Sequence, residues 1–142
     1  MSSPNTPPKL HGASIALLNS RDEVLLFLRD DIPRIRFPNR WDLPGGIIED
    51  GETPEQCIKR EMLEEIELPL HKPVLFKRYD FPDRIENMFW QRVDLDITQT
   101  PLHEGQKMQW FTAGDLAAMN DDMFAFNFRT LLLEFFGAKP FG

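Results

Sequence analysis

The sequence predicts one domain of the α/β class, in which β-strands and α-helices alternate along the chain. Two observations support this class. Short apolar runs bounded by turn residues indicate strands, and two longer segments have the 3.6-residue spacing of helices. A length of 142 residues is the size of a single domain, and the chain contains no internal repeat or linker. We expect a flexible N-terminus over residues 1–10, one domain over residues 11–137 and a short tail over residues 138–142.

The N-terminal half begins with a predicted β-hairpin. Apolar runs at residues 12–18 and 24–28 flank a short polar turn. Residues 30–40 contain two prolines and no helical period, so we expect a loop. The first helix is predicted from Thr53, a suitable N-cap, and from Pro54, whose missing N–H costs nothing in the first turn.

The C-terminal half is predicted to contain three strands and two helices. The strands are expected over residues 74–81, 87–97 and 108–111. A capping-box pattern beginning at Thr112 predicts a brief helix that ends near Met119. Five apolar residues then have the spacing of an amphipathic helix closed by Gly137, namely Phe128, Leu131, Leu132, Phe135 and Phe136.

Composition and charge argue against several classes of partner. The formal net charge is −7 at pH 7 and the pI is about 4.9, which disfavours tight binding to duplex nucleic acid or to an anionic membrane through a basic face. The single cysteine, Cys57, excludes an internal disulfide and is expected to be a small packing residue. The first ten residues lack a signal-peptide pattern, and no run of 18 apolar residues occurs, so we expect a cytoplasmic protein.

The densest chemical signal is a cluster of carboxylates in the first predicted helix. Glu61, Glu64 and Glu65 lie within five residues, after a glycine pair and an acidic loop. At about 100° per residue they share an arc of roughly 100°. Like charges this close raise one another's pKa unless a cation is present, and Mg²⁺ or Mn²⁺ prefers such hard oxygen ligands. The sequence therefore predicts a divalent-metal site for a phosphorylated substrate, with a solvated acidic helix face as the alternative.

The spacing around these carboxylates resembles the Nudix box of the nucleotide-diphosphate hydrolases. The matching residues are Gly46, Glu52, Arg60, Glu61, Met62, Glu64, Glu65 and Leu68. The box also asks for a glycine where this chain has Glu67, and we expect Pro69 to end the helix in place of a left-handed glycine turn. The resemblance implies the Nudix fold, an α/β/α sandwich around a mixed β-sheet.

The resemblance also implies roles for the residues of the box. Glu61, Glu64 and Glu65 match the metal-binding and catalytic glutamates of the family, and Gly45 matches a residue whose backbone carbonyl is a further metal ligand. Arg60 matches an arginine that pairs with a carboxylate of the box. Its simplest partner is Glu52, and we expect this pair to orient the loop against the helix.

Outside the box the resemblance is closest to the MutT-like nucleoside triphosphate pyrophosphohydrolases. It implies that Glu104 is a distant carboxylate, either a metal ligand or the base, and leaves open whether Glu61 or Glu104 takes the proton of the attacking water. Arg29 matches an arginine that contacts a substrate phosphate, and Leu43 is expected near the base pocket. Asn127 matches an asparagine that reads a purine edge, with a helix N-cap as the alternative role.

We therefore expect Mg²⁺-dependent hydrolysis, with Mn²⁺ as an alternative cofactor. The expected substrate is a purine (d)NTP such as 8-oxo-dGTP, cleaved to a nucleoside monophosphate and pyrophosphate. ADP-ribose, a nucleotide sugar or a dinucleotide is the alternative substrate, and a non-catalytic nucleotide sensor is the alternative from another class. The expected partner is a small nucleotide, with no duplex nucleic acid and no membrane. For the oligomeric state, the sequence is compatible with a monomer and with a homodimer.

Overall fold

The computed structural model describes residues 9–142, so most of the predicted flexible N-terminus lies outside the described residues. Three α-helices are present in this part of the chain, α1 (Pro54–Ile66), α2 (Ala113–Ala118) and α3 (Phe128–Ala138), with a 3₁₀ turn at Asp121–Met123. The strands are β1 (Leu10–Leu18), β2 (Val24–Leu28), β3 (Trp41–Asp42), β4 (Gly45–Ile47), β5 (Val74–Asp80), β6 (Arg84–Arg92) and β7 (Lys107–Phe111). None of the helices over residues 9–142 has both the length and the apolar character needed to cross a bilayer.

The strands form one mixed sheet whose central order is β3-β2-β1-β6-β5. β1 and β6 run parallel and stay in register along their whole length, whereas the other pairs are antiparallel. The predicted hairpin is present, because β1 pairs with β2 at Leu18 and Val24. Towards its N-terminal end β1 pairs with β4 instead, while β2 pairs with β3 and β7. β1 and β2 therefore diverge, and an opening forms between them.

Each face of the sheet carries its own hydrophobic core. Successive side chains of a strand point to opposite faces, so residues of β1 and β2 alternate between the two cores. One core joins the sheet to α3, whose five predicted apolar residues are all buried. The other joins the sheet to α1 through Cys57, Ile58, Met62 and Ile66. This arrangement is an α/β/α sandwich around a mixed sheet, and Cys57 is the packing residue that the sequence predicts.

The ends of α1 and α3 differ from the prediction. Pro69 does not replace the glycine turn, because Glu67 itself adopts the left-handed conformation, with φ 54° and ψ 34°. Proline restricts the residue just before it, and the turn at Glu67 lets the Leu68 N–H donate to the Met62 carbonyl at 3.1 Å. A left-handed residue with a Cβ costs about 1–2 kcal/mol.

The end of α3 is also set by tertiary packing. The helix continues through Gly137 to Ala138, and Lys139 takes the left-handed turn with φ 50°, so Gly137 does not close it. The turn brings the Phe141 ring to 5.4 Å from the ring of Phe135 and 5.9 Å from that of Phe136. Phe141 is thus packed against the core next to α3, whereas the residues around it are exposed.

One strand has different bounds from those predicted, and two short strands were not predicted. β6 covers Arg84–Arg92 rather than residues 87–97, because its ladder partner β1 ends at Leu18. β3 and β4 are absent from the prediction, since strands of two or three residues show no periodicity. The chain between β2 and β3 is the predicted loop, without helix or strand.

Candidate active site

A pocket of about 780 Å³ lies where β1 and β2 diverge. We group its lining residues by their chemistry into an acidic end and an aromatic end. The acidic end is formed by Gly45, Gly46, Glu61, Glu65 and Glu104. The aromatic end is formed by Arg84, Glu86, Phe126 and Phe128. These residues come from β4, α1 and the loop of Glu104 on the acidic side, and from β6 and the segment entering α3 on the aromatic side.

The glycine pair of β4 brings the backbone against α1. A Cβ on Gly46 would lie 2.5 Å from the Glu61 carboxyl group, and a Cβ on Gly45, which has φ 152°, would lie 2.1 Å from the Ala13 carbonyl oxygen. Only glycine permits both approaches. The carboxylate of Glu61 consequently sits directly against the backbone of β4.

Arg60 ties the loop of the box to α1, as the resemblance implies. Its Nε and Nη2 donate to the two carboxylate oxygens of Glu52 at 2.7 and 3.0 Å. Its Nη1 donates to Glu61 at 2.8 Å and to Glu64 at 3.2 Å. The hydrogen bonds between Arg60 and Glu52 lower the pKa of Glu52 to about 2. The same hydrogen bonds are the main reason that the pKa of Arg60 is raised. Arg60 thus fixes the loop and balances part of the negative charge of the helix.

Glu65 carries the most perturbed carboxyl group of the acidic end. The residue is 8% exposed, and its Oε2 atom is buried without a hydrogen-bond partner among the described residues. Burial, reinforced by the charges of Glu61 and Glu104, raises the pKa of Glu65 to about 9. Burial likewise raises the pKa of Glu61, against the effect of Arg60. Buried carboxyl groups of this kind bind either protons or a cation.

The three carboxylates that α1 contributes to the box, those of Glu61, Glu64 and Glu65, are not equivalent. Glu61 and Glu65 line the pocket, whereas the side chain of Glu64 is 60% exposed and outside the lining. Within residues 9–142, no three Asp, Glu, His or Cys side chains lie close enough together to coordinate one metal ion in their present positions. In this arrangement Arg60 holds the carboxylates of both Glu61 and Glu64.

The groups present nevertheless fit a divalent cation. The unpartnered Oε2 of Glu65 is a buried hard oxygen, and Glu61 and Glu104 supply further oxygens at the same end of the pocket. Mg²⁺ and Mn²⁺ prefer oxygen donors of this type. A cation here would also offset the mutual repulsion of these carboxylates.

The loop that carries Glu104 is held on both sides of the pocket. The backbone N–H of His103 donates to the Glu65 carbonyl at 2.9 Å, and that of Gln106 donates to the Leu28 carbonyl at 2.8 Å. The His103 ring is also 2.7 Å from the Glu67 carboxylate, at the left-handed end of α1. These contacts bring Glu104 to the acidic end, although it comes from a loop far from α1 in the sequence.

Arg29 and Leu43 both line the pocket, where the resemblance places them. The Nη1 of Arg29 donates to Asp42 at 2.9 Å, and its Nε donates to the Arg36 carbonyl at 3.0 Å. Burial raises the pKa of Asp42 to about 6 in spite of Arg29. Leu43 is 4% exposed and packs into the core next to α3.

Asn127 precedes α3, but it does not line the pocket and makes no side-chain cap hydrogen bond. Its Oδ1 instead accepts a hydrogen bond of 2.6 Å from Nη2 of Arg84. The alternative role as a helix cap is therefore not formed. Asn127 is linked to the pocket through Arg84.

Sequence reasoning missed Arg84 and Glu86. Each is 6% exposed, and the Arg84 guanidinium lies 4.7 Å from the ring centroids of both Phe81 and Phe126. Two charged residues at positions i and i+2 share one face of a strand. That pattern was visible in the sequence, but it ordinarily indicates a solvated face.

Comparison with known proteins defines the class. The NUDIX domain profile matches residues 8–132, so the chain belongs to the Nudix family. It is 32% identical over 118 residues to the 8-oxo-dGTP diphosphatase of Escherichia coli (strain K12), a match covering 82% of this chain and 88% of that protein. It is also 32% identical over 108 residues to the RNA pyrophosphohydrolase of Rhodospirillum rubrum, covering 73% of this chain and 57% of that protein. Family and relatives place the chain among hydrolases that act on phosphoanhydride bonds.

Solved structures agree on the fold. The MutT protein of Methanosarcina mazei Go1 superposes with a TM-score of 0.75 at 21% identity, covering 94% of this chain and 96% of that one. A MutT/nudix family protein from Listeria innocua gives a TM-score of 0.74 at 19% identity, covering 94% and 95%. At these identities the likeness concerns the fold alone, and it confirms the predicted α/β/α architecture.

Proposed function

We propose that the protein hydrolyses a purine (deoxy)nucleoside triphosphate, of the 8-oxo-dGTP type, to a nucleoside monophosphate and pyrophosphate. The observation that carries this proposal is the buried, unpartnered carboxylate oxygen of Glu65 at one end of a pocket whose other end is aromatic. In such a substrate the charged phosphates, together with a metal ion, suit the acidic end, and the flat base suits the aromatic end. The similarity to the diphosphatase of Escherichia coli supports the same substrate class.

The proposed cofactor is Mg²⁺, with Mn²⁺ as the alternative. Glu61, Glu64, Glu65, Glu104 and the carbonyl of Gly45 are the groups that would hold it. When bound, such a cation neutralises the negative oxygens of the phosphates. The side chain of Glu64 is 60% exposed, and it would have to exchange its contact with Arg60 for the cation.

The remaining chemistry falls to the chain's own residues. Arg29 orients a phosphate, because its guanidinium lies in the pocket and retains donors beyond those used by Asp42 and Arg36. Arg60 and Glu52 keep the loop of the box on α1. A carboxylate must accept the proton of the attacking water, and Glu61 and Glu104 are the two candidates at the acidic end.

The two candidate bases differ in a measurable way. Burial raises the pKa of Glu61, whereas Glu104 is exposed on its loop. Replacing the residue that acts as the general base should abolish the fall in rate at low pH. Replacing a residue that only binds the metal should lower the rate at every pH and keep that fall. Profiles of Glu61→Gln and Glu104→Gln therefore assign the role.

The function is tested by a product screen with Mg²⁺. The substrates are canonical dNTPs, 8-oxo-dGTP, ADP-ribose, a nucleotide sugar and a dinucleotide, with products separated by anion-exchange chromatography. We expect a purine triphosphate to give monophosphate and pyrophosphate in equal amounts. Turnover of ADP-ribose or the dinucleotide alone would replace the triphosphate assignment. Binding without any turnover would favour a nucleotide sensor.

A 5′-triphosphorylated RNA is a second candidate substrate, favoured by the match to the RNA pyrophosphohydrolase of Rhodospirillum rubrum. The net charge of −7 opposes broad contact with an RNA backbone. A short triphosphorylated oligonucleotide belongs in the same screen. If it is cleaved faster than any free nucleotide, RNA replaces the (d)NTP as the proposed substrate.

A further inference from the structure

One buried carboxylate of the pocket has no part in the hydrolysis described above. Glu86 lies on β6 opposite Gly12 of β1 in the parallel ladder, and both residues line the pocket. A Cβ on Gly12 would lie 3.4 Å from each carboxylate oxygen of Glu86, so any larger side chain there would cover the group. The glycine leaves the carboxylate open to a ligand.

The hydrogen-bonding capacity of Glu86 is largely unused. Nε of Arg84 donates to it at 3.3 Å, which is long for this type of bond. The hydroxyl of Ser14 lies beside Glu86, yet it is buried without a partner of acceptable geometry among the described residues. Burial raises the pKa of Glu86 to about 7 in spite of Arg84. Buried acceptors of this kind normally have donors, so a donor edge from a ligand would complete the site.

Arg84 and Glu86 offer a defined pattern to such a ligand. They lie two residues apart on one face of β6, and Arg84 can only donate hydrogen bonds while an ionised Glu86 can only accept them. The guanidinium is held between the rings of Phe81 and Phe126. The wall of the aromatic end therefore presents donors next to two acceptor oxygens.

Guanine carries the complementary pattern on one edge. Its O6 accepts, while the adjacent N1–H and 2-amino groups both donate, and adenine has a donor and an acceptor in the reverse order. If the phosphates occupy the acidic end, the base has the part of the pocket lined by Arg84 and Glu86 available to it. We propose that Glu86 is a specificity-determining residue that accepts hydrogen bonds from the N1–H and 2-amino groups of a guanine-type base. This inference rests on the proposed function and names the base that the site prefers.

The test compares guanine with hypoxanthine, which lacks only the 2-amino group. For the wild-type protein we expect kcat/KM to be about tenfold higher for dGTP than for dITP, and dGMP to bind more tightly than dIMP in calorimetry. Glu86→Gln keeps the size of the side chain but turns a donor towards the 2-amino group. It should lower kcat/KM for dGTP by about tenfold to a hundredfold and bring the ratio of dGTP to dITP close to one.

Glu134→Gln is the matched control, because Glu134 is an exposed residue of α3 outside the pocket. It should leave the ratio of dGTP to dITP at the wild-type value. An unchanged ratio in Glu86→Gln would overturn the proposal, and so would equal binding of dGMP and dIMP to the wild-type protein, which needs no variant. A change confined to the preference between GTP and dGTP would assign Glu86 to the sugar instead.

The outcomes also separate this inference from the proposed function. If no triphosphate is hydrolysed but dGMP still binds more tightly than dIMP, the proposed role of Glu86 is supported and the proposed hydrolysis is rejected. If triphosphates are hydrolysed with no dependence on the 2-amino group, the reaction stands and the role of Glu86 fails.

Discussion

The two ends of the pocket differ in how their charged side chains are combined. At the acidic end, the buried Glu65, the partly buried Glu61 and the exposed Glu104 would all be negative when ionised, and one oxygen of Glu65 lacks any partner within residues 9–142. At the aromatic end, Arg84 and Glu86 carry opposite signs. A buried ion costs several kcal/mol unless it is paired, so the aromatic end is close to balanced by itself and the acidic end is not.

This difference indicates what each end is suited to bind. An excess of buried negative charge favours a cation, whereas a balanced donor and acceptor pair favours a neutral ligand with a hydrogen-bonding edge. Changes at the acidic end should therefore act on the rate and on metal-dependent stability. Changes at the aromatic end should act on the choice of substrate.

The largest effect is expected at Glu65. Glu65→Gln keeps the side-chain size but removes the ligand charge, so kcat with Mg²⁺ should fall by roughly a thousandfold, corresponding to several kcal/mol. Glu64→Gln should also lower kcat by orders of magnitude. Glu55→Gln, an exposed change on the same helix, is the control and should keep normal turnover. Near wild-type rates in either Glu64→Gln or Glu65→Gln would refute the assigned metal site.

The second effect concerns stability and pH. The pKa of Glu65 is about 9 in the folded protein and 4.5 as an unperturbed group, so the native state binds more protons between these values. The stability of the metal-free protein should then fall as pH rises from about 4.5 to about 9. Mg²⁺ takes the place of the proton, so the rise in Tm that it causes should increase over the same range. Thermal scans at constant ionic strength measure both trends.

Glu65→Gln is the control for this linkage, since its side chain does not titrate. Its Tm should depend less on pH, and the increase caused by Mg²⁺ should shrink. A shift in Tm that is the same at all pH values would show that Mg²⁺ acts elsewhere.

A smaller and more selective effect is expected at the aromatic end. Asn127→Ala removes the acceptor to which Arg84 donates at 2.6 Å, and it leaves that donor of the pocket-lining Arg84 unpaired. This should cost about 1–3 kcal/mol, or roughly tenfold to a hundredfold in kcat/KM, for the preferred purine. A pyrimidine nucleotide should be affected little. An equal loss for every nucleotide would contradict a role in base selection.

The smallest effect tests whether the acidic end also stores backbone strain. Glu67→Gly relieves a left-handed residue at the end of α1, a gain of about 1 kcal/mol, and removes an exposed side-chain contact with His103 worth less than that. The free energy of unfolding in urea should rise by roughly 0.5 kcal/mol. His103→Ala removes the contact without relieving the turn and should lower stability slightly. A net loss in Glu67→Gly that is smaller than the loss in His103→Ala would mean that the contact outweighs the strain. A loss in Glu67→Gly as large as that in His103→Ala, or larger, would contradict the strain itself.

The acidic end could be predicted in far more detail than the aromatic end. Its residues lie mostly within one helix and the preceding loop, where the Thr53 cap, Pro54 and the carboxylate spacing are all local signals. The predicted contact between Arg60 and Glu52 is present for the same reason. Glu104 comes from a separate loop, so only the resemblance predicts a role for it, and in the structure it lines the pocket.

The aromatic end depends on contacts between distant segments. Glu86 faces the pocket because β6 lies beside β1 and places it opposite Gly12, and nothing near residue 86 in the sequence encodes that pairing. The hydrogen bond between Asn127 and Arg84 likewise joins two elements 43 residues apart. The left-handed turn at Glu67 was missed because sequence preference argues against it, and only the packed structure imposes it.

The buried thiol of Cys57 makes the contact between β4 and α1 observable in solution. Cys57 is the single cysteine of the chain and is 0% exposed, with its Sγ 3.9 Å from the Gly46 carbonyl oxygen. Burial raises the pKa of Cys57 to about 12, so the closed protein presents almost no thiolate to a reagent. Chemical labelling of Cys57 therefore requires a transient opening of the core between α1 and the sheet. The rate of labelling measures how often α1, which carries most of the box, opens in this way.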